Sequence, residues 1–333
     1  MEGDTVTIRE VAKLAGVAVS TASRALGNGS ASAKTRLKVQ QAAEALHFVP
    51  NQAAKQLTLG RSNIVAIVVP EEPDFVFRDA FVSGIVAQLA TSLAAVQLLP
   101  FLVLTKPHDA QGFLHLLKSS GAAGIIVTSF HYSKSYATAL KECGKPIVFI
   151  GKPNPSMNYP YVDVDNYQSG HDAGALLYDK GHRRIAVIAG PDDMQASKHR
   201  TKGIVDALHF HNLEPVAILS GEFSDAHGEA AMHRILLEHP DVNGVFAHSD
   251  QIAAGALRAL SDEGKQVPKD IALIGFDDFR VAEATTPRLT TFAQPLADMA
   301  SAATRMLFER LESGVWKQRA MLFPAQMIER DSV

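Results

Sequence analysis

"TIREVAKLAGVAVSTASRALGNG", residues 7–29, decides how the first part of the chain is read. Ile8, Val11, Ala12 and Ala15 recur at helical spacing behind Thr7, a good N-cap, and Gly16 ends the pattern. A second run from about Val19 to Leu26 turns Ala22, Ala25 and Leu26 inward and stops at "GNGS". A third starts near Ser32, buries Val39, Ala42, Ala43 and Leu46 at i, i+3, i+4 and i+7, and ends before Pro50. The result is a minimal three-helix bundle whose first two helices flank a glycine turn. That is helix-turn-helix spacing, in which the second helix enters a major groove and its early residues meet base edges. Val19, Ser20 and Arg24 would point outward together. Arginine can donate two hydrogen bonds to guanine, serine can donate or accept, and valine can touch a thymine methyl. The alternative is a helical hairpin with a solvated polar face.

From Ile64 onward, short apolar runs alternate with helical segments. The runs are "IVAIVVP", "LLPFLVLT", "AGIIVTS", "PIVFIG", "YVDVD", "RIAVIAG", "VAILS", "GVFAHSD", "IALIGFD" and "LTTFAQP". Continuous apolar strands separated by helices indicate parallel sheets covered on both faces, the doubly wound α/β plan. Ten strands are too many for one small sheet, so two similar lobes are expected, with "PNPSMNYP" at 153–160 as the crossing. In such sheets ligands bind beyond the carboxyl ends of the strands. The polar residues just after strands are Ser129, Asp165, Asn166, Asp192, Ser249, Asp250, Asp277, Asp278 and Gln294. The competing reading is that they cap the helices that follow.

The chain has 333 residues, 47% of them apolar and 20% charged, an ordinary globular balance. No apolar run approaches the roughly 18 residues of a membrane span, and the start lacks the order of a secretory signal, so no membrane partner and a cytoplasmic location are expected. The lone cysteine, Cys143, forms no internal disulfide and no multi-cysteine zinc site. Residues 1–62 carry eight Lys or Arg against four Asp or Glu, whereas the whole chain has a net charge of -3. A basic head on an acidic body suggests that only the head approaches a polyanion. There is no HExxH, GxSxG, Walker "GxxxxGK[ST]" or GxGxxG motif, so no catalytic residue, metal site or cofactor is expected and the chain is read as a non-enzyme.

"TIREVAKLAGVAVSTASRAL" followed by "TRLKVQQAAEALHFVPNQAAKQLTLGRSN" resembles the N-terminal signature of the lactose-repressor (LacI/GalR) family. The body continues the likeness with "DVDN" (163–166), "GHRRIAVIAGP" (181–191), "SKHRTKG" (197–203), "SDQIAAGAL" (249–257), "VPKDIALIGFDD" (267–278) and "PRLTTFAQP" (287–295). The resemblance implies a small all-α helix-turn-helix head at 1–50, a hinge helix and linker at 51–62, and a two-lobed body at 63–333 like periplasmic binding proteins. Its lobes would be about 63–160 with 293–324, and about 161–292. It implies a transcription regulator, a repressor in first place, that acts as a homodimer, with a tetramer possible, on double-stranded operator DNA.

The resemblance carries site residues with it. Val19, Ser20 and Arg24 fall on base-reading positions. Thr21, Ser23 and Asn28 fall on positions that meet phosphate, and Thr7 joins the DNA-binding set. In the hinge, Leu57 would wedge into the minor groove with Asn51, Ala54 and Lys55 alongside, kinking the duplex. Such a short helix is marginal alone, so its folding can be coupled to DNA. A small-molecule effector, a sugar or sugar derivative before a nucleoside or purine, would bind between the lobes. Arg200 is the principal expected contact, since its guanidinium fork can hold hydroxyls or a carboxylate. Asp250 and Asp277 would accept from hydroxyls, and Asp165, Asn166, Asp192, Ser129 and Gln294 would complete the ring. Phe276 or Phe81 would stack on a sugar face, with Phe77 competing for the second role.

Three departures from the family pattern stand out. Ala18 replaces a common serine cap of the recognition helix, at a cost of about 1 kcal/mol. His47, Phe48 and Val49 replace a more usual Gly-Tyr-Arg. His248 sits where a small residue is commoner, and so narrows the cavity or adds a polar contact. The end of the chain lacks leucine heptads, against a tetramer built on a tail. Two rivals remain: a solute-binding module without DNA binding, and an enzyme on the same scaffold.

Overall fold

The chain divides into two compact units, Met1–Ser62 and Asn63–Val333. The computed structural model describes residues 6–27, 29–48, 62–105 and 109–333. Asn28 and the expected hinge contacts Asn51, Ala54, Lys55 and Leu57 lie outside the described residues.

The first unit holds α1 (Ile8–Ala15), α2 (Val19–Leu26) and α3 (Ala33–Ala45). Glu10 Oε2 accepts from the Thr7 N–H at 2.7 Å and from its hydroxyl at 3.1 Å, closing the start of α1. Gly16 ends α1 at φ 65°, a left-handed conformation in which any Cβ is strained. Val11, Ala12, Ala22, Ala25, Val39, Ala42 and Ala43 form the core. Most are alanines, so three short helices meet with little side-chain volume between them. Leu46 is only half-buried because it sits at the C-cap of α3 rather than within it.

The second unit contains two parallel sheets. The first has the order β11-β5-β4-β3-β1-β2 and uses β1 (Ile64–Val69), β2 (Leu99–Leu104), β3 (Gly124–Val127), β4 (Ile147–Ile150), β5 (Tyr161–Val164) and β11 (Ala320–Phe323). The second, β7-β6-β8-β9, uses β6 (Ile185–Ala189), β7 (Ala217–Ser220), β8 (Gly244–Ala247) and β9 (Ala272–Ile274). Helices cover both faces, and the period of two along each strand shows how. In β1, Val65 and Ile67 pack with Ile85, Leu89 and Leu93 of α5 (Ala80–Ala95), while Ala66 and Val68 pack with Phe113 and Leu117 of α6 (Ala110–Ser119) and Leu140 of α7 (Lys134–Cys143). In β6, Ile185 and Val187 face Leu177 of α8 (Asn166–Asp179) and Ile204 of α9 (Gln195–Phe210). Ala186 and Ile188 face Met232 of α10 (Asp225–Glu238) and Ile252 of α11 (Asp250–Asp262). This is the doubly wound, two-lobed plan expected from the apolar runs, and each of the ten runs contains a strand.

Two features differ from the sequence reading. The chain does not leave the first sheet at 153–160. Residues 161–164 form β5, which pairs in parallel with β4 and β11, so the crossing follows Val164. Proline and asparagine in "PNPSMNYP" mark a turn, here the 3₁₀ segment Pro155–Met157, and a turn can sit inside a lobe as well as between lobes. The structure also adds β11, whose "AMLF" is a short continuous apolar run outside the ten read as strands, and β12 (Gln326–Ile328), whose "QMI" is too brief to signal. β12 pairs antiparallel with β10 (Thr291–Ala293). The lobes are thus joined by three crossings: β5 to α8, β10 to α13 (Leu296–Ser313), and β11 to β12. Among the described residues, no helix is long and apolar enough to cross a membrane.

Candidate functional site

On the head, α2 buries Ala22 and Ala25, which leaves Val19, Ser20, Ser23 and Arg24 exposed along one face and Thr21 at its margin. Val19 is 44% exposed, an unusual place for an apolar side chain without a partner. Thr7 is exposed at the start of α1. α2 begins on Ala18 without a side-chain cap. Its far end is tied instead by Arg36, whose Nη1 donates to the carbonyls of Ala25 at 2.8 Å and Gly27 at 2.9 Å, and whose Nη2 donates to that of Gly29 at 3.0 Å. A cation on the last carbonyls of a helix also opposes the negative end of its dipole.

In the body, loops at the carboxyl ends of strands from both lobes surround a cleft, as the doubly wound plan requires. Its empty space, counted to the open mouth, is about 960 Å³. Phe75, Phe130, Tyr132, Phe223 and Phe279 supply aromatic surface, and Asp79, Phe81, Ser129, Lys152, Asp163, Arg200, Asp277 and Gln294 supply most of the remaining chemistry. Phe81 lines the cleft, whereas Phe77 is 71% exposed and does not.

Arg200, only 5% exposed, organises the floor. Its Nε donates to Asn166 Oδ1 at 2.8 Å, its Nη1 donates to the carbonyl of His248, and its Cζ lies 3.4 Å from the centre of the Phe276 ring. Two guanidinium nitrogens are thereby fixed, and the remaining one, Nη2, makes no hydrogen bond among the described residues. Burial lowers the guanidinium from its ordinary value to about 10, opposed by Asp277, Asp163 and Asp250. Those carboxyls are pushed the other way. Burial raises Asp163 to about 6, against hydrogen bonds from the N–H groups of Lys152 and Val164, and raises Asp250 to about 7, against those from the Thr291 hydroxyl and the Phe279 N–H. Asp277 is raised well above its ordinary value, again by burial, with Arg200 opposing. Asp79, which caps α5, is raised to about 6 by burial. Carboxyls that stay protonated near neutrality can donate as well as accept. Asp277 and Ser129 hold φ values of 114° and 50°, left-handed backbone that a side chain adopts at a cost and that clusters at ligand sites.

Of the residues singled out from sequence, Phe81, Ser129, Arg200, Ser249, Asp277 and Gln294 meet at the cavity wall, and Gln294 Nε2 donates to Asp277 Oδ1 at 2.7 Å. Asn166, His248, Asp250 and Phe276 lie in the layer behind. Asn166 and the His248 carbonyl hold Arg200, and Phe276 supports it from beneath. Asp250 accepts from Thr291 Oγ1 at 2.6 Å and from the Phe279 N–H at 3.0 Å. The His248 ring is wholly buried, takes the Gly190 N–H on Nδ1 at 3.3 Å, and is kept neutral chiefly by burial. It therefore neither narrows the cavity nor reaches into it. Asp165 is away from the wall because its carboxylate accepts from the Gln168 N–H at 2.9 Å, capping α8. Asp192 accepts from Ser220 Oγ at 2.6 Å instead of facing the cavity.

Sequence reasoning missed Asp79, Lys152 and Asp163 in the cleft and Arg36 in the head. Asp163 carried a signal: it is a carboxylate inside the apolar strand "YVDV", where only a special environment tolerates it. Outside the cleft, Glu229, His233 and Asp262 bring potential metal donors within 4.8 Å of one another. Glu229 already accepts from Arg258 Nε at 2.9 Å and His233 faces Glu263 at 3.4 Å, so the cluster is an ion-pair network on α10 and α11.

Comparison with known proteins gives a consistent picture. Residues 7–51 match the family described as "Bacterial regulatory proteins, lacI family", and residues 175–333 match the "Periplasmic binding protein-like domain". The chain is 35% identical to the HTH-type transcriptional regulator CelR of Thermobifida fusca, covering 98% of both chains. It is 29% identical to the HTH-type transcriptional repressor CytR of Escherichia coli, covering 98% of this chain and 96% of that one. Among solved structures, a CelR–cellobiose complex superposes with a TM-score of 0.78 at 33% identity, covering 98% of this chain and 100% of that one. The lac repressor dimer bound to operator and the anti-inducer ONPF superposes with a TM-score of 0.87 at 24% identity, covering 99% of each chain, which speaks to the fold alone. These relatives are regulators and not enzymes.

Proposed function

Because the chain belongs to the lacI family of bacterial regulatory proteins, we propose that it is a homodimeric, DNA-binding transcriptional repressor whose operator affinity is set by a sugar bound between its lobes. Two heads related by a two-fold axis read two half-sites of a pseudo-palindrome. Val19, Ser20 and Arg24 meet base edges. Thr7, Thr21, Ser23 and Asn28 meet the backbone, and Leu57 with Asn51, Ala54 and Lys55 enters the minor groove between the half-sites. A ligand that prefers one lobe arrangement changes the spacing of the two hinges, and DNA affinity follows.

The cleft floor is the observation that carries the sugar reading. Arg200 and Gln294 offer donors, Asp79 and Asp163 offer carboxylates that accept, Asp277 offers a carboxyl held towards its protonated form that can also donate, and Phe81 with the aromatic walls offers apolar faces. Alternating hydroxyls and C–H faces of a neutral sugar match such a lining, and the cellobiose held by the CelR structure supports it. A nucleoside is the alternative, favoured by the aromatic walls.

A thermal-shift screen tests the reading, since a ligand that binds only the folded state raises the melting temperature. Neutral mono- and disaccharides, cellobiose among them, are run beside nucleosides on the wild type and Arg200→Ala. A sugar should raise the melting temperature of the wild type and lose that effect in the variant. A shift given by nucleosides alone would replace the sugar reading.

A further inference from the structure

We infer that His131 is a strap that fastens the two lobes together in the arrangement seen here. Its ring lies between carboxylates from opposite lobes. Nε2 meets Glu71 Oε1 at 3.1 Å, just past β1, and Nδ1 meets both oxygens of Asp193 at 2.9 Å, in the turn between β6 and α9. Glu71 is itself fixed, being 8% exposed and accepting from Ser129 Oγ at 2.7 Å. The strap thus has one anchored end in the first lobe and one end on the second lobe's cleft rim, where Asp193 lines the cavity.

The chemistry suits a cation. With a carboxylate on each nitrogen, only the imidazolium can donate to both. Glu71 and Asp193 are the charged groups that face the ring from the elements around it, and Asp79 at the head of α5 lies beyond Glu71. Burial lowers the His131 value, but Glu71 and Asp193 outweigh it and bring it to about 9. Once the lobes part, Asp193 leaves the ring and that value falls. Closure therefore takes up a proton. The strap's contribution is complete below the ordinary histidine value of 6.5, provided both carboxylates stay ionised, and is lost as pH rises through about 9.

The geometry has a mechanical consequence. Rotation about the three crossings that parts the lobes has to break the Asp193 contact, so the strap biases the ligand-free protein toward closure and sets how readily the cleft opens. The effector reading is needed only for that last consequence; the strap itself stands on the lobe-to-lobe contact.

Spin labels on the full chain test it without any ligand. Lys118→Cys in the first lobe and Phe210→Cys in the second, both exposed, are labelled in a Cys143→Ala background, and the inter-label distance is measured by double electron–electron resonance. At pH 7 the protein should give one main distance. His131→Ala should raise the ratio of open to closed molecules on the order of tenfold, the scale of losing a charged hydrogen bond. Asp193→Asn, which leaves the Glu71 contact in place, should do the same, and the unaltered strap should show the change on going from pH 7 to pH 10. Circular dichroism confirms that each variant is folded. Identical distance distributions for the strap and both variants at pH 7 would overturn the proposal. A failed sugar screen would leave these distances unaffected, so the two readings fail separately.

Discussion

Replacing Arg200 by alanine tests the cleft floor most sharply. The substitution removes the bond to Asn166, the bond to the His248 carbonyl and the contact with the Phe276 ring 3.4 Å away. Hydrogen bonds to a charged group contribute about 1.5–3 kcal/mol each, and breaking a buried charged cluster costs about 3–5 kcal/mol. Burying the guanidinium was itself unfavourable, as its lowered value of about 10 shows, and its removal offsets part of that loss. A net destabilisation of about 3 kcal/mol at pH 8 is expected from these opposing effects. The pH dependence is more diagnostic. Asp163, Asp250 and Asp277 lose their cation, and a carboxyl whose folded value is raised contributes stability that is present below 3.8 and lost as pH climbs through the folded value. In the wild type those values are about 6 for Asp163 and about 7 for Asp250, and without Arg200 they rise further. The gap between wild type and variant should therefore be smaller at pH 5 and widen by pH 8. Urea unfolding followed by Trp316, the chain's single tryptophan and part of the body, reads this directly. A gap below about 1 kcal/mol, equal at pH 5 and pH 8, would show that Arg200 does not organise the floor.

Further outcomes follow from the head and the helix contacts. Arg24→Ala should relax preference at one base pair in each half-site and cost about 1–3 kcal/mol per contact, read by comparing binding-site profiles of the two proteins. Arg36→Met removes three hydrogen bonds that close the end of α2. Operator affinity should fall while binding to sugars is unchanged, as fluorescence anisotropy and calorimetry would report. Gly203→Ala would put a Cβ 2.0 Å from the Tyr167 carbonyl oxygen across the α8–α9 contact. Helix backbones must separate to admit it, and the body's melting temperature should drop by an amount consistent with about 3 kcal/mol or more. An unchanged melting curve would mean those helices do not pack as described.

The fold was largely legible because its signals are local. Continuous apolar runs announce strands even where one side is exposed, as in β2 and β7, so ten strands could be read; β11 carries such a run in "AMLF" and was missed, and β12 is too short to show one. The head was legible from caps: Thr7, Gly16 and Ser32 mark boundaries that coincide with the helices observed. The cleft was legible in part. Ser129, Asp277 and Gln294 follow strand ends, where loops converge, whereas Arg200 lies inside α9 and was legible only through the family resemblance. Asp165 and Asp192 follow strand ends too, yet cap or pair locally, because an exposed carboxylate near a free N–H or hydroxyl satisfies itself first. Asp163 showed itself only as a carboxylate inside an apolar strand, without saying which side of that strand faces the cleft, and the Glu71–His131–Asp193 series could not be read, since it depends on loops brought together from opposite lobes.

Occupancy of the cleft should be felt by the head. The most direct measurement is the affinity of the full-length chain for the duplex it enriches from a random DNA library, taken with and without cellobiose, or the sugar the thermal screen selects, at a concentration that saturates the cleft. A two-fold symmetric site is expected, with an affinity changed by about tenfold or more, equivalent to at least about 1.4 kcal/mol of coupling. A symmetric site bound equally well with the cleft empty and full would contradict it.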